Sequence, residues 1–165
     1  LSSFSTDSVW TRAGRPDLRE TDGKRQAWRA YWEATALLRD RLEKSLKDQL
    51  GLTLADYNLL LLLVEAGGSM RMGELANRMV FAPSRITYRV THLVDRGFVV
   101  RETEGTDRRG ALASITDDGR TFFKEAAALH ACQVDDLFLS HLEPGDEDML
   151  LRVFTRVGER LDAIG

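Results

Sequence analysis

Between Pro83 and Ile115 the hydrophobic pattern changes period, and that change limits the folds open to this chain. From Pro83 to about Arg96 the apolar residues Ile86, Val90, Leu93 and Val94 recur at three- and four-residue steps, the buried stripe of an amphipathic helix. Pro83 brings a preset backbone angle to a first helical position, and Gly97 offers a left-handed stop. Two short β-favouring segments follow, Phe98 to Thr103 and Ala111 to Ile115. The charged, glycine-flanked run 104–110 lies between them, as at the tip of a hairpin. Upstream, a short helix is expected around Gly73 to Met79 with Leu75, Ala76 and Met79 inward, and Phe81-Ala82 makes a tight turn. Helix, turn, helix and hairpin in that order form a winged helix-turn-helix.

The flanks are helical. Trp28, Tyr31, Trp32, Thr35, Leu38, Leu42, Leu46 and Leu50 give one face of a long helix from Lys24 to about Leu50, which Gly51 ends. Thr53 with Asp56 resembles a capping box and opens a second helix through Leu59–Val64, closed by Gly67 and Gly68. Thr116 with Asp117 and Asp118 caps a long helix to about Leu142. Pro144 opens a last one whose face is Leu150, Val153, Phe154, Val157, Leu161 and Ile164. The chain therefore divides into a flexible leader (1–23, with an isolated Trp10), an N-terminal dimerisation helix (24–52), a winged unit (53–116) and C-terminal dimerisation helices (117–165). The fold class is mainly α with a small β-hairpin wing. Apolar stripes at both ends, separated by the winged unit, must bury against something, and a second copy of the chain is the simplest cover.

Charge identifies the partner only when it is resolved by segment. The net charge of -3 over 165 residues leans away from nucleic acid. Yet residues 71–109 carry eight basic side chains against five acidic ones, and all eight are arginines: Arg71, Arg78, Arg85, Arg89, Arg96, Arg101, Arg108 and Arg109. Arginine grips phosphate or guanine with a planar fork, so a local anionic partner is indicated, although a solvated charged face would look the same. Residues 117–165 carry five basic and eleven acidic side chains, a scaffold that would sit away from the anion. With the apolar stripe of the 83–96 helix turned inward, its other face presents Ser84, Arg85, Thr87, Tyr88, Thr91 and His92 as readers of base edges and phosphates in double-stranded DNA. Arg89 borders the stripe and is as well placed to face the protein. The hairpin tip sets Arg108 and Arg109 on a thin projection suited to a minor groove.

The run His92-Leu93-Val94-Asp95-Arg96-Gly97-Phe98-Val99-Val100-Arg101, together with Glu74-Leu75-Ala76, Pro83-Ser84, Asp107-Arg108-Arg109 and Ile115-Thr116-Asp117-Asp118-Gly119, resembles the MarR family of bacterial transcriptional regulators over roughly residues 28–164. The resemblance implies a homodimer whose terminal helices intertwine, with one winged unit per subunit on a pseudo-palindromic operator, acting as a repressor. It also implies that Asp107 braces the wing while Arg109 enters the minor groove; a purely hairpin-stabilising pair is the alternative. By the same resemblance a small phenolic or anionic effector would enter a pocket lined by Trp28, Tyr31, Trp32, Asn58 and Arg89, though aromatics at helical spacing equally fill a core or an interface. A urate-responsive branch of the family has an acidic residue where this chain has Asn58, with arginines matching Arg89 and Arg101.

Other chemistry is not announced. The single cysteine, Cys132, excludes an intrachain disulfide; it lies far from where a peroxide-sensing branch of the family keeps its thiol, and reads as buried and inert. His130 and Cys132 diverge on their helix and His92 and His141 are distant, so no metal site is expected, and no cofactor. Phosphate-loop, His-Glu-x-x-His and Gly-x-Ser-x-Gly motifs are missing, so the chain does not read as an enzyme. No apolar run exceeds the six residues Leu59–Val64 and no secretory signal opens the chain, which leaves the cytoplasm as the expected location. The competing functions are an activator or dual regulator, a winged module for protein–protein contact, and the dimerisation part of a larger enzyme.

Overall fold

The computed structural model describes residues 22–102 and 111–164, so residues 1–21 of the leader and the wing tip, with Asp107, Arg108 and Arg109, lie outside the described residues, and the last two leader positions, Asp22 and Gly23, already belong to a helix. The chain divides into two compact units, residues 1–38 and 39–165. Helix α1 (Asp22–Leu50) contributes to both. Then come α2 (Leu54–Glu65), β1 (Ser69–Arg71), α3 (Met72–Arg78), α4 (Pro83–Asp95), β2 (Val99–Glu102), β3 (Leu112–Ile115), α5 (Asp117–Leu137), a 3-10 turn (Leu139–His141) and α6 (Asp146–Asp162). Among the described residues no helix is long and apolar enough to cross a membrane.

The core of the second unit is built by α2. Its Leu59, Leu60 and Leu63 are fully buried and meet Leu46 of α1, Leu75 of α3, Ile86, Val90 and Leu93 of α4, and Phe123 and Ala126 of α5. The helix is apolar nearly all round because it is surrounded, which is why its sequence shows no clean stripe. Thr53 caps it: the hydroxyl accepts from the Asp56 N–H at 3.1 Å and donates to the Asp56 carboxylate at 2.6 Å. Thr116 does the same for α5, accepting from Gly119 N–H at 2.9 Å while donating to Gly97 O at 2.8 Å. Gly97 itself holds φ +76°, the left-handed stop read from the sequence.

The sheet has three strands, not two, in the order β1-β3-β2, all antiparallel. The hairpin registers Val99 with Ile115 and Glu102 with Leu112, and β1 adds Ser69 opposite Ser114 and Arg71 opposite Leu112. Two helix ends also differ from the expectation. Helix α5 stops at Leu137 rather than near Leu142, and α6 begins at Asp146, after Gly145 at φ +97°, rather than at Pro144. Cys132 is exposed, not buried, because position 132 falls on the side of α5 away from Phe123 and Ala126.

His130, on α5, meets Tyr57 edge to face at 4.5 Å between ring centroids, and its buried Nδ1 has no hydrogen-bond partner. Burial holds its pKa below the ordinary value of 6.5. An unfolded chain then takes up this proton more readily than the folded one, so stability is full at neutral pH and falls as pH drops below about 6.5. Thermal midpoints measured from pH 7.5 to 5.5 should fall more steeply for the parent than for His130→Phe. Parallel curves would remove His130 from the acid response.

Candidate nucleic-acid interface

Helix α4 is assembled for presentation of its N-terminal half. Pro83 sits in its first turn, no acidic residue accompanies it there, and the cap residue Ala82 makes no side-chain hydrogen bond, so the positive end of the helix dipole is left uncovered. Ile86, Val90 and Leu93 hold the opposite side in the core. Val94, expected in that stripe, is instead 37% exposed, since Ile86, Val90 and Leu93 fill the core-facing side of the helix and Val94 lies at its border.

The outward face carries Ser84, Arg85, Thr87, Tyr88 and Thr91, all exposed. Tyr88 stands out most among its large apolar side chains, at 69%. Arg85 is tethered, its guanidinium lying 5.0 Å over the ring of Phe81. The Thr87 and Thr91 hydroxyls donate back to the carbonyls of Pro83 and Thr87, at 3.0 and 2.9 Å. His92 is half-exposed, with Nδ1 3.7 Å from the Asp56 carboxylate. Asp95 lies exposed at the C-terminal end of the same helix, where it would repel phosphate. The helix thus keeps its acidic side chain at the far end and none in its first two turns.

Arg89 has a different place. It reaches from α4 to the N-terminus of α2, where its Nη1 donates to Thr53 Oγ1 at 2.8 Å and pairs with Asp56 at 3.2 Å. Asp56 is fully buried, the one such charged side chain among the described residues. Glu43 of α1 faces the same corner. Burial raises its pKa, but the Leu54 N–H at 2.7 Å, Lys47 and the charge of Arg89 outweigh that and hold it below the ordinary value. Arg96 is also internal. It donates to Gly51 O at 3.0 Å and Leu50 O at 3.2 Å, where a cation suits the end of α1, and stacks over Phe98 and Phe122 at 4.8 and 5.0 Å. Arg78 pairs with Glu65 at 3.4 Å. The arginines of this segment thus differ in their places: Arg89 and Arg96 are committed within the fold, while Arg71, Arg78 and Arg85 are exposed, Arg78 in a surface pair with Glu65.

The five residues proposed around an effector fall in both units. Trp28, Tyr31 and Trp32 belong to the first, where Trp28 lies 5.8 Å from Tyr31 and 5.7 Å from Trp32 between ring centroids, and the tryptophans are about three-fifths exposed. Asn58, exposed on α2, and Arg89 belong to the second. Phe81 and Asp56 were not singled out as functional from the sequence. Their roles depend on partners, Arg85 and Arg89, that only the folded chain reveals.

A helix-turn-helix whose second helix offers an uncovered, acid-free N-terminal half, backed by a three-stranded wing, defines a winged helix-turn-helix protein. A model of the MarR family matches residues 50–110. The crystal structure of Sco3205, a MarR family transcriptional regulator from Streptomyces coelicolor in complex with DNA, is 32% identical with a TM-score of 0.78, covering 85% of this chain and 92% of that one. This chain belongs to the MarR family of DNA-binding transcriptional regulators, a family of regulators and not of enzymes. Curated relatives from Bacillus subtilis align over less of their length. The uncharacterized HTH-type transcriptional regulator YkoM is 28% identical over 91 residues, 55% of this chain and 58% of that protein. The HTH-type transcriptional repressor MdtR is 34% identical over 61 residues, 37% of this chain and 39% of that protein.

Proposed function

We propose that this chain is a repressor that binds a pseudo-palindromic operator as a homodimer, one α4 in the major groove of each half-site. The observation that carries this reading is the outward face of α4, where Ser84, Arg85, Thr87, Tyr88 and Thr91 stand exposed over a fully buried opposite side. The DNA-bound relative Sco3205 and the repressor MdtR support it. Half-sites lie about one helical turn apart, ~10 bp centre to centre. By the resemblance to the family, Asp107 would brace the wing and Arg109 would enter the flanking minor groove, with Arg108 beside it. A regulator with this partner works in the cytoplasm of its cell.

Dimerisation is supported by what α6 leaves uncovered. None of its side chains is buried; Phe154, Val157 and Leu161 are 41 to 58% exposed along one face, and Ile164, just past its end, is 63% exposed. Four large apolar groups so close together would cost several kcal/mol left in water, at ~25 cal/mol per Å2. A second copy of the same helix covers them. A small phenolic or anionic effector, stacking on the exposed aromatics Trp28, Tyr31 and Trp32, would release the DNA, with a coupling of ~1–3 kcal/mol.

Gel-shift titration against the DNA upstream of the protein's own gene tests the reading. Binding there with a steep salt dependence, at a stoichiometry of two chains per site, is expected. Arg109→Ala should lower the salt slope by about one. Binding that is absent, or equal on random DNA, would refute the operator reading. Transcription that rises on binding would make the protein an activator.

A further inference from the structure

Which bases α4 reads follows from how its exposed side chains spend their hydrogen bonds. Resting on the operator reading above, we propose that each half-site presents a guanine to Arg85, held for that purpose by Phe81, beside A·T pairs read by Thr87 and Thr91.

Arg85 is the only guanidinium on the outward face of α4, because Arg89 one turn later is committed to Asp56 and Thr53. No donor of Arg85 has a hydrogen-bond partner among the described residues, and its guanidinium lies 5.0 Å over the Phe81 ring. A cation–π contact of this kind uses none of the five N–H groups as hydrogen-bond donors to the protein, so they remain available to a ligand. An arginine so held loses less rotamer freedom on contact than an untethered one. Its edge matches the two acceptors of guanine, O6 and N7, in the major groove. Phe81 is thus a positioning residue. It precedes Pro83 by two residues and packs partly into the core, so its ring is fixed by the turn itself.

Thr87 and Thr91 are read by subtraction. Each hydroxyl proton is donated to a backbone carbonyl four residues back, at 3.0 and 2.9 Å. What remains for a base is a methyl group and an acceptor lone pair. A·T is the pair whose major-groove edge offers both complements, the thymine C5-methyl and the adenine N6 amino group. Guanine, with acceptors only, would meet an oxygen that has no proton to give.

The test uses the full chain. Bound sequences are first enriched from a random double-stranded pool, and the enriched site is resynthesised with uracil for thymine, which removes the methyl, or 7-deazaguanine for guanine, which removes N7. Each replacement at a contacted position should weaken binding, the guanine change by on the order of tenfold. Arg85→Lys should lose the preference for guanine at that position while keeping most of the affinity for DNA in general. Phe81→Leu should shrink the guanine preference and Phe81→Tyr should restore it, with thermal midpoints measured on both so that loss of packing is separated from loss of positioning.

A selective site whose binding ignores both analogues, or a Phe81→Leu variant that weakens all sequences equally, overturns this proposal and leaves the operator reading standing. A pool that yields no enriched sequence overturns the operator reading itself, and this proposal with it.

Discussion

Replacing Arg89 with alanine is expected to destabilise the protein by about 3–5 kcal/mol, because it strands the carboxylate of a fully buried Asp56. The guanidinium supplies Asp56 with its cationic partner at 3.2 Å and also donates to the Thr53 hydroxyl that caps α2. After its removal, only that hydroxyl, the Asp56 N–H it accepts from, and His92 at 3.7 Å remain nearby. The Arg89 side chain is itself only 25% exposed, so water does not fully screen the pair. Removing both charges should cost less than removing Arg89 alone, since the double variant Asp56→Ala/Arg89→Ala leaves no buried charge. Urea denaturation of the three variants at constant slope measures this. A cost below about 1 kcal/mol for Arg89→Ala would mean that Asp56 does not depend on Arg89.

Gly119→Ala should be the second large loss, at about 3 kcal/mol, at the upper end of what overpacking costs. A Cβ there would meet the Phe98 carbonyl oxygen well inside contact distance and stand 2.9 Å from Ile115 Cγ1. The Phe98 carbonyl cannot move aside freely, because it accepts the Thr116 N–H at 3.0 Å where β3 passes into α5. A chain of this length should melt roughly 6–12 °C lower. A melting temperature within a degree or two of the parent would show that this joint has slack.

These two positions also mark how far the sequence could be read. The glycine in Ile115-Thr116-Asp117-Asp118-Gly119 was visible as part of a capped helix start, yet its crowding by Phe98 comes from a chain segment some twenty residues away. The elements with local signals were legible: the 3.6-residue stripe of α4, its proline start, its glycine stop and the threonine caps of α2 and α5. Strand β1 was not, because three residues with a single inward side chain, Met70, carry no periodicity of their own and are strands only through pairing with β3. The early end of α5 also lacked a signal, for Phe138, Leu139, Ser140, His141 and Leu142 include no glycine or proline. Within the candidate interface, the exposed set on α4 followed from the stripe alone. The separation of exposed from internally committed arginines did not, since it is decided by Asp56, Leu50, Gly51 and the rings of Phe98 and Phe122, all remote from or unmarked by the local pattern.

The two scaffold arginines of α4 and its C-cap, Arg89 and Arg96, both fasten to the corner where α1 hands over to α2, at Leu50, Gly51, Thr53 and Asp56. The corner therefore acts as a pivot. From Arg96 to Ser84 the helix measures about 18 Å at 1.5 Å per residue, and its N-terminal end carries the reading side chains. A rotation of ten degrees at the pivot sweeps that end through about 3 Å, close to the ~3.4 Å step between successive base pairs. Because Ile86 and Val90 of the same helix are buried in the core, it is the packing of that core that sets how far Arg85 can be displaced from one base toward the next.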